Sequence, residues 1–339
     1  MSHTITLHPY AITFTCSPGE TVLDAAVRAG VALRHGCRHG GCGACKVQLA
    51  SGYVSHGSRA TAISEAEEDS GLALLCCALP EEDVEINLPE DYCEAELTPE
   101  FPVVEREVAI STIAPVTRDI VHLGLALGAG ESLGFRAGQY LEVQVPGTSS
   151  WRSFSLANAP GNNTLELLVK LMPEGLFSGH LRHRARVGDA LRVRGPFGRF
   201  GAAATGAPMI MVAGGSGMAP VVALLKDLVA RGSDRQVQFF YGARSRADLF
   251  WLDEIAALGR GLPSFTFTPA LSEPDAADTW AGETGLITEV LARHTPANLR
   301  AFDGYLCGPP GMIDAAVEVL AGKGMFATRI ACDRFLSTA

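Results

Sequence analysis

The chain has 339 residues, of which 47% are hydrophobic and 19% are charged, and its formal net charge is -10. This length allows two or three separately folded domains, and the apolar content excludes an intrinsically disordered protein. Residues 1–99 hold 14 acidic and 5 basic side chains, and so acidic a segment argues against nucleic acid as a partner.

The nine cysteines, in the absence of a signal peptide, are better explained by metal and redox chemistry in the cytoplasm than by disulfide bonds. Residues 200–225 carry no charge and are numerous enough to cross a membrane. The glycines that begin at Gly214 and the proline at Pro220 divide this stretch into a buried strand and an amphipathic helix. We therefore expect a cytoplasmic protein without a membrane span.

The N-terminal segment predicts strand structure followed by one short helix. Residues 5–15 alternate between apolar and polar side chains, as in a hairpin strand, with a turn at Ser17-Pro18-Gly19. Thr21 is a suitable N-cap for a helix over residues 22–29, which Gly30 would end.

Three cysteines then lie in one short loop with the spacing Cys37-x4-Cys42-x2-Cys45, and a fourth thiol follows at Cys76 or Cys77. This spacing is typical of plant-type 2Fe-2S ferredoxins, in which four thiolates hold two irons. The loop therefore predicts a 2Fe-2S site.

Two other metal sites have to be weighed against it. Structural zinc is usually held by two Cys-x2-Cys pairs, and only Cys42 and Cys45 form such a pair. Cys37 and His39 match half of a Rieske ligand set, but no Cys-x2-His follows anywhere in the chain. The 2Fe-2S interpretation is favoured over both.

The residues around the cysteines suit an anionic cluster. Gly40, Gly41 and Gly43 leave room for backbone N–H groups to point inward. The neighbouring basic residues are either a solvated rim that compensates the cluster or a docking patch for a partner: Arg34, His35, Arg38, His39 and Lys46.

The next segments complete a small, mostly β domain and begin a second one. Strands are predicted near residues 46–49 and 84–88, and the polar, proline-bounded residues 89–102 predict a linker. Six short runs then predict a closed antiparallel barrel, with one helix near residues 177–184. The six strands are predicted at residues 107–111, 120–127, 140–145, 153–156, 165–169 and 190–193.

From residue 209 the chain alternates between strand and helix patterns, which predicts a parallel sheet covered on both faces. The strands are predicted near residues 209–213, 237–241, 264–269, 304–307 and 329–331. The helices are predicted near residues 219–230, 247–258, 285–292 and 313–320.

Two segments of the barrel could together neutralise a diphosphate. The first is Arg152-Ser153-Phe154-Ser155, and the second runs from Lys170 to Ser178. In the second, Gly175 frees backbone N–H groups, and Ser178 would open a helix whose N-terminus can meet a pyrophosphate. An arginine and a helix N-terminus are well suited to bind such a group together.

Two further motifs lie on the carboxyl edge of the parallel sheet. Gly214-Gly215-Ser216-Gly217 forms the turn from the first strand to the first helix, where nucleotide phosphates bind, although it is not the G-x-G-x-x-G fingerprint. Cys307-Gly308-Pro309-Pro310 repeats this arrangement after a later strand. Asp333-Arg334-Phe335 then stands near the end of the chain.

These motifs, in this order behind a ferredoxin domain, resemble the ferredoxin-NADP reductase superfamily. More closely they resemble the reductase components of bacterial oxygenases such as benzoate dioxygenase, phenol hydroxylase and soluble methane monooxygenase. The resemblance covers the whole chain and implies a multidomain α+β and α/β protein. Its parts would be a β-grasp ferredoxin domain at 1–95, a linker at 96–102, an antiparallel β-barrel FAD domain at 103–203 and a parallel-sheet α/β NAD(P) domain at 204–339.

The resemblance also implies roles for the residues that match the motifs of the family. The cluster ligands would be Cys37, Cys42, Cys45 and Cys76, the last because the fourth ligand of the family stands four residues before a proline, here Pro80. The hydride-transfer site would contain Ser155 near flavin N5, Cys307 against the nicotinamide, and Asp333. The other cofactor-binding residues would be Arg152, Ser153, Phe154, Lys170, Gly175, Ser178 and Phe335 for FAD, and Gly214, Gly215, Gly217, Pro220 and Gly308 for NAD(P).

Three positions depart from the family pattern. Phe154 replaces the commoner Tyr and lacks a hydroxyl that would bond the flavin, and Asp333 is one methylene shorter than the usual Glu. Gly311 stands where a third proline is frequent. None of these changes removes a group that does covalent chemistry.

A chain of this kind would take a hydride from NADH onto FAD and pass single electrons through the cluster to the hydroxylase component of an oxygenase, as a monomer. The alternative is a free-standing flavin or quinone reductase with an auxiliary ferredoxin domain, which would keep its turnover after loss of the cluster. A non-enzymatic metal-binding protein would show neither flavin nor cluster absorption. The family favours NADH, whereas Arg244 and Arg246 could bind the 2'-phosphate of NADPH.

Overall fold

The computed structural model describes residues 1–57, 60–161, 163–275 and 279–335. These residues form two compact units, of which the first is Met1–Val104 and the second is Glu105–Phe335. Each unit has its own buried core.

The first unit contains a five-stranded mixed sheet. Its elements are β1 (His3–His8), β2 (Ile12–Cys16), α1 (Val22–Arg28), β3 (Lys46–Ser51), β4 (Val54–Ser55), α2 (Glu65–Asp69), β5 (Leu72–Leu74), β6 (Leu79–Pro80) and β7 (Val84–Asn87). The strand order is β2-β1-β7-β3-β5, with β1 and β7 parallel, and α1 packs its buried face on this sheet. The predicted β-grasp fold is confirmed.

Two details of this unit differ from the sequence-based expectation. The hairpin turn lies at residues 9–11, between β1 and β2, and Ser17-Pro18-Gly19 instead leads into α1. The turn was hidden in the sequence because Ala11, with φ 53°, adopts the left-handed conformation without being a glycine. The start of α1 is as predicted, since the Thr21 hydroxyl accepts the Asp24 N–H at 3.1 Å.

The segment predicted as a linker is packed against the first unit. It forms a 3-10 helix at Glu94–Leu97, and Tyr92 and Leu97 are buried in the core of the unit. The proline-bounded, acidic composition concealed these two apolar anchors. The segment up to Leu97 is therefore part of the first unit and is not a flexible linker. The domain boundary at residues 96–102 remains a prediction.

The second unit begins with a six-stranded antiparallel sheet. Its elements are β8 (Val104–Pro115), β9 (Ile120–Ala126), β10 (Tyr140–Gln144), β11 (Trp151–Ser155), β12 (Thr164–Lys170), α3 (Leu176–His183) and β13 (Ala190–Phe197). The strand order is β11-β10-β13-β8-β9-β12, and an antiparallel bridge between Leu156 and Leu167 joins its two ends. The predicted barrel of six strands is confirmed.

The rest of the unit is a parallel sheet with helices on both faces. Its elements are β14 (Met209–Gly214), α4 (Met218–Ala230), β15 (Val237–Ala243), α5 (Leu252–Gly259), β16 (Phe265–Leu271), β17 (Glu283–Thr284), α6 (Ile287–His294), β18 (Asp303–Gly308), α7 (Pro310–Gly322) and β19 (Ile330–Arg334). The strand order is β17-β16-β15-β14-β18-β19. The chain therefore changes direction across the sheet between β14 and β18, which is where ligands bind in such folds.

Two further expectations can be compared with this sheet. The helix predicted from residue 247 begins only at Leu252, because Trp251 has φ 56° and interrupts the helical conformation. The uncharged residues 200–225 contain strand β14 and the first part of helix α4, as predicted. Among the residues described, no helix is long and apolar enough to span a membrane.

Candidate cluster and flavin sites

The structure brings the four predicted cluster ligands together as two pairs. The Cys37 and Cys42 thiols lie close enough to shift each other's pKa, and so do those of Cys45 and Cys76. Within the described residues, no group of three or more potential ligands is close enough to hold one metal ion. Two thiol pairs suit two irons with two thiolates each, whereas zinc needs all four donors around one ion.

Backbone N–H groups converge on all four of these sulfurs. Cys42 Sγ accepts the N–H of Cys37 at 3.3 Å and also that of Ala44. The sulfurs of Cys45 and Cys76 accept the N–H groups of Cys76 and Gly40. Amide groups aimed at sulfur are the means by which a protein stabilises an anionic thiolate cluster and tunes its potential. The site therefore fits the predicted group.

The pKa values within the first pair follow from this arrangement. The pKa of Cys37 falls to about 6, first because the Cys42 thiol donates a hydrogen bond to it, and then because backbone N–H groups outweigh burial. The same contact, with burial, raises the pKa of Cys42. The loop thus favours the charged form of Cys37 over that of Cys42.

The sequence left two neighbouring cysteines, Cys76 and Cys77, as candidates for the fourth cluster ligand. Cys76 contacts Cys45 and accepts the N–H of Gly40 from the cluster loop. The thiol of Cys77 lies 3.8 Å from that of Cys76, and both residues are 8% exposed. These contacts support Cys76 as the ligand, and the assignment stays a prediction.

Glycine is required at several points of the loop. Gly40 and Gly43 have φ values of 81° and 72°, where a side chain would be strained. Sequence reasoning missed Gly36, where an added Cβ would lie 3.0 Å from Cys42 Sγ. The feature that could have identified Gly36 from the sequence is its position directly before Cys37.

Three of the basic residues near the loop, Arg34, Arg38 and Lys46, are paired with carboxylates. Arg34 contacts Asp91 at 2.7 Å and Glu96 at 3.2 Å. Lys46 contacts Glu67 at 2.7 Å. Arg38 is ion-paired with Asp24, and its side chain is 6% exposed. These pairs favour a compensated rim over a basic docking patch.

The predicted flavin site begins on β11. Arg152 is half-buried, and its Nη1 donates to the Trp151 carbonyl at 2.9 Å, while Ser153 is exposed. The Phe154 ring packs 5.3 Å from the ring of Phe177 on α3. The strand is thereby attached to the one helix that covers the barrel.

The loop before α3 is held by its own side chains. Gly175 is the N-cap, so the helix begins at Leu176, and Ser178 lies in its first turn rather than opening it. The Ser178 hydroxyl accepts the Met172 N–H at 2.9 Å. A Cβ at Gly175 would lie 2.9 Å from Ser178 Oγ, so only glycine allows this close turn. The first N–H groups of α3 have no partners within the helix, as a diphosphate site requires.

Two basic side chains near this loop have different surroundings. Lys170, predicted to bind the cofactor, is ion-paired with Asp119. Arg182 was not predicted, and its guanidinium donates to the carbonyls of Met172 and Leu171 at 3.2 Å. Its signal was a basic residue one helical turn after Ser178, on the same helix.

The two glycine-rich turns of the nucleotide domain meet at the switch point between β14 and β18. A Cβ at Gly217 would lie 2.3 Å from the Cys307 carbonyl oxygen. Gly308 has φ 141° and lies against Gly214, with Pro220 buried in the first turn of α4. The turns therefore interlock at backbone distance, which requires glycine at both contact points.

The residues predicted for hydride transfer come together at this edge. The Ser155 hydroxyl donates to Asp333 Oδ2 at 3.2 Å, and Asp333 is the register partner of Cys307 in the β18–β19 pair. Cys307 is fully buried, and burial followed by the charge of Asp333 raises the pKa of its thiol. The Phe335 N–H donates to the Gly308 carbonyl at 2.9 Å. Barrel and parallel sheet therefore contribute to one site.

Sequence profiles of three domain families match the chain. They are described as the 2Fe-2S iron-sulfur cluster binding domain at residues 5–81, the oxidoreductase FAD-binding domain at 107–201 and the oxidoreductase NAD-binding domain at 211–318. These matches confirm the predicted 2Fe-2S, FAD and nicotinamide cofactors.

Several proteins are similar over the full length. The propane 2-monooxygenase reductase component of Rhodococcus jostii (strain RHA1) is 41% identical, over 99% of this chain and 92% of that protein. The phenol 2-monooxygenase reductase component of Pseudomonas sp. (strain CF600) is 34% identical, over 100% and 96%. The crystal structure of an Amycolatopsis cytochrome P450 reductase has a TM-score of 0.88 at 33% identity and covers 98% of both chains.

Proposed function

Because the chain belongs to the family of ferredoxin reductase-type reductase components of oxygenases, we propose that it carries electrons from NADH through FAD and a 2Fe-2S cluster to an oxygenase. It is an oxidoreductase with one domain for each of these three cofactors. The observation that carries the proposal is the contact of 3.2 Å between Ser155 and Asp333 beside Cys307. It joins the flavin barrel to strand β19 of the nucleotide sheet, next to β18.

The cofactors supply the redox chemistry: flavin accepts a hydride from the nicotinamide and the cluster transfers electrons singly. The chain supplies binding, orientation and the exclusion of water. We propose that Arg152 and the first turn of α3 neutralise the flavin diphosphate, because both offer N–H donors and positive potential. Ser178 would keep the preceding loop closed through its bond to Met172.

At the hydride-transfer site, we propose that Ser155 and Asp333 orient the reacting rings through their mutual hydrogen bond. Because its pKa is raised, Cys307 stays a neutral thiol, and it would form an uncharged surface without water behind the nicotinamide. The glycine turn at Gly217 would admit the cofactor diphosphate close to the backbone. No strong general acid or base is needed for hydride transfer.

In the first unit, we propose that Cys37 and Cys42 bind one iron and that Cys45 and Cys76 bind the other. The support is the pairing of the thiols and the N–H group directed at each sulfur. These N–H groups would offset the negative charge that four thiolates bring to a small loop.

We propose that the electron acceptor is the hydroxylase component of an oxygenase. The names of the full-length relatives, which include reductase components of propane and phenol monooxygenases, support this. We further propose a cytoplasmic monomer that binds neither nucleic acid nor membranes. None of its nine cysteines forms a disulfide, which suits a reducing compartment, and the acidic first 99 residues would repel nucleic acid.

The proposal is tested by the spectrum, iron content and flavin content of the purified chain, together with NADH-driven reduction of cytochrome c and of ferricyanide. We expect two irons and one FAD per chain, and cytochrome c reduction that stops when the cluster is removed. Cytochrome c reduction that survives loss of the cluster would instead favour a free-standing flavin or quinone reductase.

A further inference from the structure

Leu74 closes the turn that carries Cys76. The N–H groups of Cys77 and Ala78 both donate to the Leu74 carbonyl at 2.9 Å. Leu74 is also the last residue of β5, where it is the register partner of Lys46. The position of Leu74 therefore decides where the Cys76 thiol points, because only one residue separates the two.

The N–H of Leu74 is held by a buried histidine. It donates to Nε2 of His56 at 2.9 Å, and the His56 side chain is only 2% exposed. A ring nitrogen can accept a hydrogen bond only when it is unprotonated. The neutral ring of His56 therefore carries its proton on Nδ1.

Glu68 on α2 faces the other side of this ring. Its Oε2 lies 3.5 Å from Nδ1 of His56, which is longer than an ordinary direct hydrogen bond. At that separation the carboxylate acts mainly through its charge, which favours a proton on the nearer nitrogen and leaves Nε2 free to accept. Glu68, His56 and Leu74 thus form a chain of contacts that ends at the first residue of the turn that carries Cys76.

We propose that His56 is a positioning residue for the iron–sulfur cluster: it holds Leu74 and thereby fixes the turn that presents Cys76. Glu68 fixes the tautomer of His56 in this role. The inference rests on the proposed function, since it requires Cys76 to be a ligand. Partners behind metal ligands orient those ligands, and their loss commonly weakens metal binding.

A histidine that only filled the core would behave differently. Its replacement would lower the melting temperature of the first unit but would leave the cluster equally well held in the protein that remains folded. The distinguishing property is the hydrogen-bond acceptor at Nε2. A variant that keeps an acceptor there should keep the cluster, whatever happens to the imidazole ring.

The test compares full-length variants purified with their cofactors. His56→Leu removes the acceptor, and His56→Gln places a carbonyl oxygen near the position of Nε2. Ile5→Ala is the matched control, because Ile5 is fully buried in the same core but lies in β1, which pairs with β2 and β7. The readouts are the rate of iron release to a chelator, the electron paramagnetic resonance spectrum of the reduced cluster, and the melting temperature.

We expect His56→Leu to release iron about tenfold faster or more, with an altered spectrum. His56→Gln should release iron close to the wild-type rate, and Ile5→Ala should lose thermal stability without faster release from folded protein. Unchanged release in His56→Leu, equal acceleration in Ile5→Ala, or no rescue by His56→Gln would each overturn the positioning role.

If His56→Leu does not fold, Glu68→Gln tests the proposal instead. Glu68 is exposed on a short helix, so this variant should still fold. Its iron release should increase by less than that expected for His56→Leu, at an unchanged melting temperature, and an unchanged rate counts against the proposal. A wild-type protein without iron would contradict the proposed function itself. If the wild-type protein holds the cluster and the variants release iron no faster, only the role of His56 would be contradicted.

Discussion

The cluster site and the flavin site are built in opposite ways. Three of the four cluster ligands lie within nine residues, Cys37 to Cys45, and backbone N–H groups from the same loop are directed at the sulfurs of Cys37 and Cys42. The flavin site depends on residues far apart in the chain, since 178 positions separate Ser155 and Asp333. The first is specified by local spacing, whereas the second exists only after a barrel and a sheet have packed together.

This difference predicts how each site fails. A change in the cluster loop should remove the cluster and leave hydride transfer intact, because the loop belongs to the first compact unit. A change at the packed edge of the nucleotide sheet should impair hydride transfer and leave the cluster intact. The following variants test that separation.

The largest effect is expected for Cys76→Ser. The variant should lose the cluster absorption and almost all NADH-driven cytochrome c reduction, because one of four iron ligands is gone. Reduction of ferricyanide, which needs only flavin, should persist. Cys77→Ser is the matched control, with an equally buried thiol one position away. If Cys77→Ser bleaches the protein and Cys76→Ser does not, the ligand assignment is wrong.

Gly217→Ala should have the next largest effect. The new Cβ would lie 2.3 Å from the Cys307 carbonyl oxygen, so the two interlocked turns must separate. We expect a loss on the order of a hundredfold in kcat/KM for NADH with ferricyanide as acceptor, because small displacements at a reacting site are costly. The cluster spectrum should not change.

Gly311→Ala is the control for this substitution, because an added Cβ there meets no atom within 4 Å. It stands in α7, beyond the same turn, and should leave kcat/KM for NADH close to the wild-type value. Equal losses of kcat/KM in both variants would mean that this edge of the sheet tolerates no added side chain. The contact of Gly217 with the Cys307 carbonyl would then not be the cause of the loss.

Phe335→Ala should have a smaller effect of opposite sign on binding. We propose that the Phe335 ring stacks on the flavin and has to move before nicotinamide can occupy its place. Stacking contributes about 0.5 to 1.5 kcal/mol beyond buried area, so its loss should tighten the oxidised nicotinamide cofactor by about tenfold at most. Product release should become slower.

A core role for Phe335 predicts another result, and the melting temperature distinguishes the two. A ring that only fills the core would cost about 3 to 5 kcal/mol of stability when truncated, with no gain in affinity. Measuring the Kd for NAD+ and the melting temperature on this one variant is sufficient. A destabilised protein with unchanged affinity would exclude the stacking role.

The smallest effect concerns the choice between NADH and NADPH. We expect kcat/KM to be higher with NADH, as the family resemblance implies. Arg244 and Arg246 are exposed after β15 and could still support weak use of NADPH. Replacing both with Ala should therefore reduce activity with NADPH more than activity with NADH. A wild-type preference for NADPH would mean that these charges outweigh the family pattern.

The sequence was sufficient for the local features of both units. The cysteine spacing predicts the cluster loop, and short strand-forming runs with turn signals between them predict all six barrel strands, because these signals lie within a few residues of one another. Helix α2 was missed, since it has five residues, none of them buried, and therefore no apolar periodicity. Its capping box, with Ser64 and Glu67, was the available signal.

Contacts between distant segments could not be predicted in this way. The ion pair of Lys170 with Asp119 and the bond from Leu74 to His56 each join residues that no local pattern links. The same holds for the pairing of Arg34 with Asp91, which favours a compensated rim over a docking patch. Such contacts depend on sheet order and register, which spacing and periodicity do not determine.

The central claim is that the two sites act in series, with hydride received in the second unit and single electrons leaving from the first. Anaerobic rapid mixing with NADH tests it directly, with flavin absorbance and cluster resonance followed in the same reaction. The account predicts that flavin absorbance falls first, at a rate that rises with NADH concentration, and that the signal of the reduced cluster follows. A cluster that is reduced before the flavin, or that stays oxidised while the flavin turns over, would contradict it.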